Sequence, residues 1–283
     1  MRTARLILTF REDLIPHLRD FYVGGGRTDL LVVAYNASMV DPHKFTTNEK
    51  FQLVPYQTSQ RRSQSISGLQ YKVWVEVAKK FPHVEGWVVH DYDFYCNPND
   101  SDLFSHIKED EYGMIGMAFP VWREDMGDTN IDTYPFPQSH RYWHNTNNPI
   151  DREVDAVLTK TYPAMYGGTT TLIGGYSDCI VTSSRNLLLL DDPAFEHLSG
   201  GLEQVPHTVW RARNVKPVDF RQFYKVRVLM DVLYVPIDPH YDMLNPVKVW
   251  DTETGASAPM KFQNFKLKLK KIVKRLIRYE GWR

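Results

Sequence analysis

At 283 residues the chain is long enough for one large α/β domain or two small ones, and its 42% hydrophobic and 24% charged content is that of an ordinary globular protein. Its two cysteines, Cys96 and Cys179, lie in distant segments, which excludes a disulfide framework and a zinc pattern and fits a reducing compartment. The zero net charge conceals an asymmetry: residues 261–283 carry nine Lys or Arg and one acid, a net +8, so the first 260 residues carry −8.

No stretch reaches the roughly 18 apolar residues that a membrane span needs, and Met1 to Phe10 leads directly into a strand-like pattern rather than a signal peptide. A soluble, cytoplasmic protein is expected. Arg5 to Phe10 predicts a first strand, Asp13 to Tyr22 a short helix, Gly24-Gly25-Gly26 a loop, and Asp29 to Asn36 a second buried strand. That spacing argues a βαβ unit and a parallel sheet. The triple glycine precedes the second strand, so it is not a dinucleotide fingerprint, which must follow a strand and open a helix. Phe51 to Pro55 predicts a third strand. Gln57 to Ser67 is polar and carries Arg61 and Arg62. Leu69, Val73, Val77 and Phe81 recur at helical spacing, ended by Pro82 and Gly86.

Trp87 to Tyr95 follows, reading W-V-V-H-D-Y-D-F-Y. An apolar run reads as a buried strand. It ends where Asp91 and Asp93 would stand at the carboxyl edge of a sheet, the edge where open α/β sheets bind ligands. Carboxylates spaced i, i+2 project to the same side of an extended chain. Bringing them together is costly unless a cation sits between them, and hard divalent cations also bind substrate phosphates. A site for Mn²⁺ or Mg²⁺ and a diphosphate is one reading; two solvated aspartates at a strand end is the plain one.

Further along, Asp100 to Glu109 predicts a short helix and Tyr112 to Val121 a strand. Residues 122–150 show no period but carry Trp122, Tyr142 and Trp143, suited to a sugar platform or to core packing. Asp151 to Lys160 predicts a helix, Cys179 to Ser183 a strand with Asp178 at its entry, and Arg185 to Leu190 a helix. Residues 201–213 form a further helical candidate, provided that Pro206 lies in its first turn. Val226 to Ile237 predicts a late strand, followed by His240. No internal repeat is visible.

Two or three βα units followed by a strand ending in D-x-D resemble the GT-A nucleotide-sugar glycosyltransferases. A second likeness lies in Glu203 to Val209, E-Q-V-P-H-T-V, with the upstream Cys179 to Leu187, C-I-V-T-S-S-R-N-L. These are similar to the glutamate segment of family 14, the core-2 branching and peptide O-xylosyltransferase group. A small enzyme of this layout also resembles the glycosyltransferases of large algal DNA viruses. The resemblance implies a single α/β domain over residues 1–260, Rossmann-like, with a mainly parallel central sheet flanked by helices. Residues 1–100 would form the nucleotide-sugar half and 101–260 the acceptor half.

The donor residues so implied are Thr9, Phe10, Arg11, Tyr35, Asn36, Arg61, Arg62, Asp91, Tyr92 and Asp93. Asp91, Asp93 and His240 would hold Mn²⁺ or Mg²⁺, although family 14 enzymes generally do not depend on the metal. Trp122, Tyr142 and Trp143 would bind the acceptor. Glu203, or its rival Asp178, would be the base that deprotonates an acceptor hydroxyl. The implied reaction moves a monosaccharide from a UDP-sugar, UDP-xylose or UDP-GlcNAc, to a glycan hydroxyl with inversion.

Residues 261–283 place Phe262, Phe265, Leu269, Ile272 and Leu276 at helical steps among lysines and arginines. A basic amphipathic helix suits an anionic membrane surface. Nucleic acid is the weaker partner, since the body is acidic and shows no recognition motif. Two other functions compete. A haloacid-dehalogenase-type phosphatase wants Thr or Val where Tyr95 stands and its motif on the first strand. An inactive transferase-like scaffold would serve as a carbohydrate-binding or membrane-adaptor protein.

Overall fold

The computed structural model describes residues 1–56, 70–115, 119–120, 149–162, 173–174, 179–202, 204–228, 235–236, 240–245 and 247–249. In chain order the strands are β1 (Thr3–Thr9), β2 (Leu31–Asn36), β3 (Phe51–Tyr56), β4 (Gly86–Asp91), β5 (Tyr95–Cys96), β6 (Glu111–Met114) and β7 (Phe119–Pro120), followed by β8 (Ile173–Gly174), β9 (Cys179–Ser183), β10 (Lys216–Asp219), β11 (Val226–Val228), β12 (Val235–Pro236), β13 (Met243–Asn245) and β14 (Val247–Val249). The α-helices are α1 (Ile15–Arg19), α2 (Gln70–Lys80), α3 (Asp100–Ser105), α4 (Pro149–Thr161), α5 (Ser184–Leu188) and α6 (Val205–Ala212). The chain divides into two compact units. One holds Met1–Tyr92 and Pro98–Phe223, the other Asp93–Asn97 and Tyr224–Arg283.

The first unit is mixed α/β around a seven-stranded sheet of order β10-β6-β9-β4-β1-β2-β3. Every neighbouring pair runs parallel except those of β9, which is antiparallel to both β4 and β6. The sequence explains the placement. β1 and β2 are buried at every residue, as interior strands covered on both faces must be. β3 mixes buried and partly or fully exposed positions, as an edge strand can. β10, Lys-Pro-Val-Asp, carries a proline that a central strand would not tolerate, and it stands at the opposite edge beside β6.

The helices flank this sheet. α2 buries Tyr71, Trp74, Val75 and Ala78 along one stripe. α3 is capped by Asn99, whose Oδ1 accepts from the backbone N–H of Asp102 at 2.8 Å. Gly86, at the start of β4, gives close access to α3: a Cβ there would stand 2.6 Å from the Phe104 ring. The α6 helix places Pro206 in its first turn, where its missing N–H costs nothing. Val205 to Trp210 are all buried, and the Trp210 indole donates to the Asn186 carbonyl at 2.8 Å.

The second unit holds the short strands β5 and β11 to β14. β13 pairs antiparallel with β5 and parallel with β11, and β12 pairs with β14. The Lys225 backbone N–H donates to Asp242 Oδ2 at 2.7 Å and the Asn97 N–H to the Asp242 carbonyl at 2.8 Å.

Three expectations change. The strand expected over Tyr112 to Val121 stops at Met114, and Phe119–Pro120 pairs with β8 instead. Within the late strand expected over Val226 to Ile237, the described residues form β11 and β12, which have different partners. The short helix expected over Asp13 to Tyr22 is three successive turns, of 3-10, α and π type. Residues 261–283, the amphipathic candidate, lie outside the described residues. Among those described, no helix is long and apolar enough to cross a membrane.

Candidate functional site at the carboxyl edge of the sheet

From β1 the chain winds outward to β2 and β3, then returns to lay β4 on the other flank of β1. The strand order therefore reverses between β1 and β4. In open α/β sheets the crevice outside the carboxyl ends at such a reversal is the ligand site. Two elements deliver side chains there. β1 ends at Thr9 and is followed by Phe10 and Arg11, while β4 ends at Asp91 and is followed by Tyr92. The register is fixed: Leu8 is the Cα partner of Asp91, and the Tyr92 N–H donates to the Leu8 carbonyl at 3.1 Å.

The rings of Phe10 and Tyr92 meet edge to face at 5.0 Å. Thr9 Oγ1 accepts from the Arg11 N–H at 2.9 Å, turning the chain away from the strand. Tyr56, the last residue of β3, reaches past β2 and donates from its hydroxyl to the Thr9 carbonyl at 3.3 Å. Burial, and after it the negative charge of Asp91, push the Tyr56 phenol above its ordinary range, so it stays protonated. Asn36 ends β2, and its Oδ1 accepts from the Ser38 N–H at 2.9 Å. Tyr35, paired with Thr9, is buried.

One face of the same strands carries a sealed polar layer. The side chain of Arg5 is wholly buried in β1, and its Nη2 and Nε donate to Asp100 Oδ1 at 2.6 and 3.0 Å. Nη2 also donates to the Pro98 carbonyl at 3.0 Å, and the guanidinium stacks 4.3 Å from the Tyr22 ring centroid. Tyr22 lies 5.4 Å from the His90 ring. His90 Nδ1 is 2.8 Å from the Asp91 carbonyl, which accepts when that nitrogen carries the proton. Burial first, and the Arg5 charge second, pull the His90 imidazole down to about 3, so it is neutral at physiological pH. The layer fixes the end of β4 from which Asp91 emerges.

Compared with protein-family models and with curated proteins, the sequence matches none.

The structure brings Thr9, Phe10, Arg11, Asp91 and Tyr92 to one edge, with Tyr35 and Asn36 on the neighbouring strand. Arg11 is held in an ion pair with Asp13. The boundary between the two units falls between Tyr92 and Asp93, so Asp93 and His240 belong to the second unit. His240 is exposed, and its Nε2 stands 2.8 Å from the Lys225 ammonium, which works against a cation at that nitrogen. Among the described residues no three His, Cys, Asp or Glu side chains come together as a metal site. A resident cation needs such a set; one delivered with a diphosphate needs fewer protein ligands. Arg61, Arg62, Trp122, Tyr142, Trp143, Asp178 and Glu203 lie outside the described residues.

Sequence reasoning passed over Tyr56 and the Arg5–Asp100 pair. A tyrosine directly after the expected third strand was one signal. An arginine inside R-L-I-L-T-F, an otherwise buried apolar run, was the other.

Proposed function

We propose that the chain is a nucleotide-sugar glycosyltransferase of the GT-A type, moving a monosaccharide from a UDP-sugar to a glycan hydroxyl. The observation that carries this reading is the position of Asp91, at the carboxyl end of β4 and beside β1, where the strand order reverses. The single antiparallel strand, β9, in an otherwise parallel sheet is compatible with it. Phe10 and Tyr92 offer the aromatic surface that a base requires, and Asp91 a carboxylate for hydroxyls. Asp91 would meet Mn²⁺ or Mg²⁺ brought with the diphosphate. The cation would neutralise the departing phosphate charge.

The acceptor side rests on sequence. Glu203, with Asp178 as the alternative, is the proposed base. A carboxylate within hydrogen-bond reach takes the acceptor proton as the oxygen attacks the anomeric carbon, and one direct displacement inverts that centre. UDP-xylose and UDP-GlcNAc are the proposed donors, following the resemblance of the Glu203 segment. The basic stretch 261–283 would hold the enzyme at an anionic membrane surface.

A thermal-shift panel of nucleotide sugars with and without Mn²⁺ tests the proposal. A rise in Tm specific to UDP-sugars is expected, since a ligand that binds only the folded state stabilises it. No shift with any nucleotide sugar contradicts it.

A further inference from the structure

A cleft in the first unit shares no residue with the carboxyl edge. Its volume is about 390 Å³, within the range of roughly 300–1,000 Å³ that small-molecule sites occupy. One wall is the first half of α2 and the other the segment that follows α5. Val75, Leu190 and Phe195, all buried, give it an apolar floor. Four carboxylates line it as well, those of Glu76, Asp191, Asp192 and Glu196. Lys72 is the one cation in the lining, and its Nζ already donates to the carbonyls of Glu196 and Leu198, each at 2.8 Å. Lys79 pairs with Asp191 at 2.9 Å and with Glu76 at 3.6 Å, and Asp192 Oδ1 accepts from the Ala194 N–H at 2.9 Å. The exposed Glu196 carboxylate accepts no hydrogen bond among the described residues. Tyr71, 1% exposed, also lines the cleft, and its hydroxyl has no hydrogen-bond partner. A buried hydroxyl left unpaired is unfavourable and uncommon. The charge of Glu153 acts on Tyr71 and Lys72, and that of Glu196 on Lys72, so carboxylates flank this end of the cleft.

We propose that this cleft binds a small organic amine, an ammonium group on a short apolar stem. The stem covers the floor formed by Val75, Leu190 and Phe195. The four lining carboxylates outnumber Lys72 and Lys79, so a cation is favoured over an anion. An ammonium has three donors and no acceptor, whereas a carboxylate only accepts and a phenol oxygen accepts as well as donates. The ammonium therefore suits the open Glu196 carboxylate and the unpaired Tyr71 phenol. The site stands independently of the nucleotide-sugar reading.

The test is calorimetric titration of the full chain with 2-phenylethylamine and with 2-phenylethanol, which keeps the stem and replaces the ammonium by a neutral hydroxyl. The amine is expected to bind about tenfold more tightly than the alcohol or better, the scale of a charged hydrogen bond. Glu196→Gln and Tyr71→Phe then locate the site, since each keeps the shape of its side chain. Each is expected to weaken the amine about three- to tenfold. Tyr71→Phe should melt no lower than the wild type, because the deleted hydroxyl made no bond. Failure of the amine to bind overturns the proposal, as does equal affinity for amine and alcohol. Wild-type affinity for the amine in either variant places its binding elsewhere and overturns it too. A clearly lower Tm in Tyr71→Phe would show the hydroxyl to be paired in the fold, with the same consequence.

Discussion

His90 and Asp91 are neighbours in β4, yet they belong to regions built on opposite terms. On one face of β1 and β4, Arg5, Tyr22, His90 and Asp100 form a layer shut off from solvent, in which the one cation and the one carboxylate face each other. At the carboxyl edge, Thr9, Phe10, Asp91 and Tyr92 gather where the strand order reverses, and the last three keep part of their surface. Asp91 ends β4 and Asp100 begins α3, nine residues on, and their settings divide them. A carboxylate sealed against an arginine holds the fold; one at the strand reversal is placed to meet a ligand. The difference shows that acidity near the motif does not by itself mark function.

The sealed layer should carry the largest effect on stability. Arg5→Met leaves Asp100 buried without its partner, and such a change costs about 3–5 kcal/mol. Urea unfolding of this variant should show a loss of that order. A loss below about 1 kcal/mol would mean that the layer is not the clamp described. Replacing both partners, Arg5→Met with Asp100→Leu, should recover much of the loss, because no charge is then left buried.

His90 makes the sealed layer sensitive to pH. In the folded protein its imidazole is pulled down to about 3, against an ordinary value of 6.5. Between those limits the unfolded chain binds the proton and the folded one does not, so stability rises with pH. The contribution is fully present above pH 6.5 and is lost as pH falls through 3, at no more than about 1.4 kcal/mol per pH unit. Urea unfolding at pH 7, 6 and 5 should show this slope in the wild type and a shallower one in His90→Gln. Identical slopes would mean that His90 takes up its proton equally in the folded and the unfolded chain.

Much of this organisation was legible in the sequence, and the particular successes and failures have physical causes. The expected strand over Cys179 to Ser183 coincides with β9, and β1, β2 and α2 lie within two residues of their expected bounds at each end. Each is signalled by a local hydrophobic period. The condition set on Pro206, first turn or no helix, is met in α6. By contrast, β10 was invisible because Lys216, Pro217 and Asp219 are poor strand formers. Only an edge position beside β6 accommodates them. The Arg5–Asp100 pair joins residues 95 positions apart, and the Tyr56–Thr9 bond residues 47 apart, so no local pattern announces either. The i, i+2 spacing of Asp91 and Asp93 marked the strand end correctly. It did not reveal that the chain passes from one compact unit to the other between them.

The smallest expected effect on stability belongs to Asp91, and it coincides with the largest expected effect on binding. Asp91→Asn at the edge should leave urea stability within about 0.5 kcal/mol of wild type, as surface changes generally do. It should also weaken binding of the UDP-sugar that shifts the wild type by about tenfold or more, the scale of a lost charged hydrogen bond. Titration of that UDP-sugar into wild type and Asp91→Asn, with unfolding curves for both, tests the carboxyl-edge site most directly. Near-normal stability with weakened binding is the predicted result, and unchanged affinity in Asp91→Asn would contradict it.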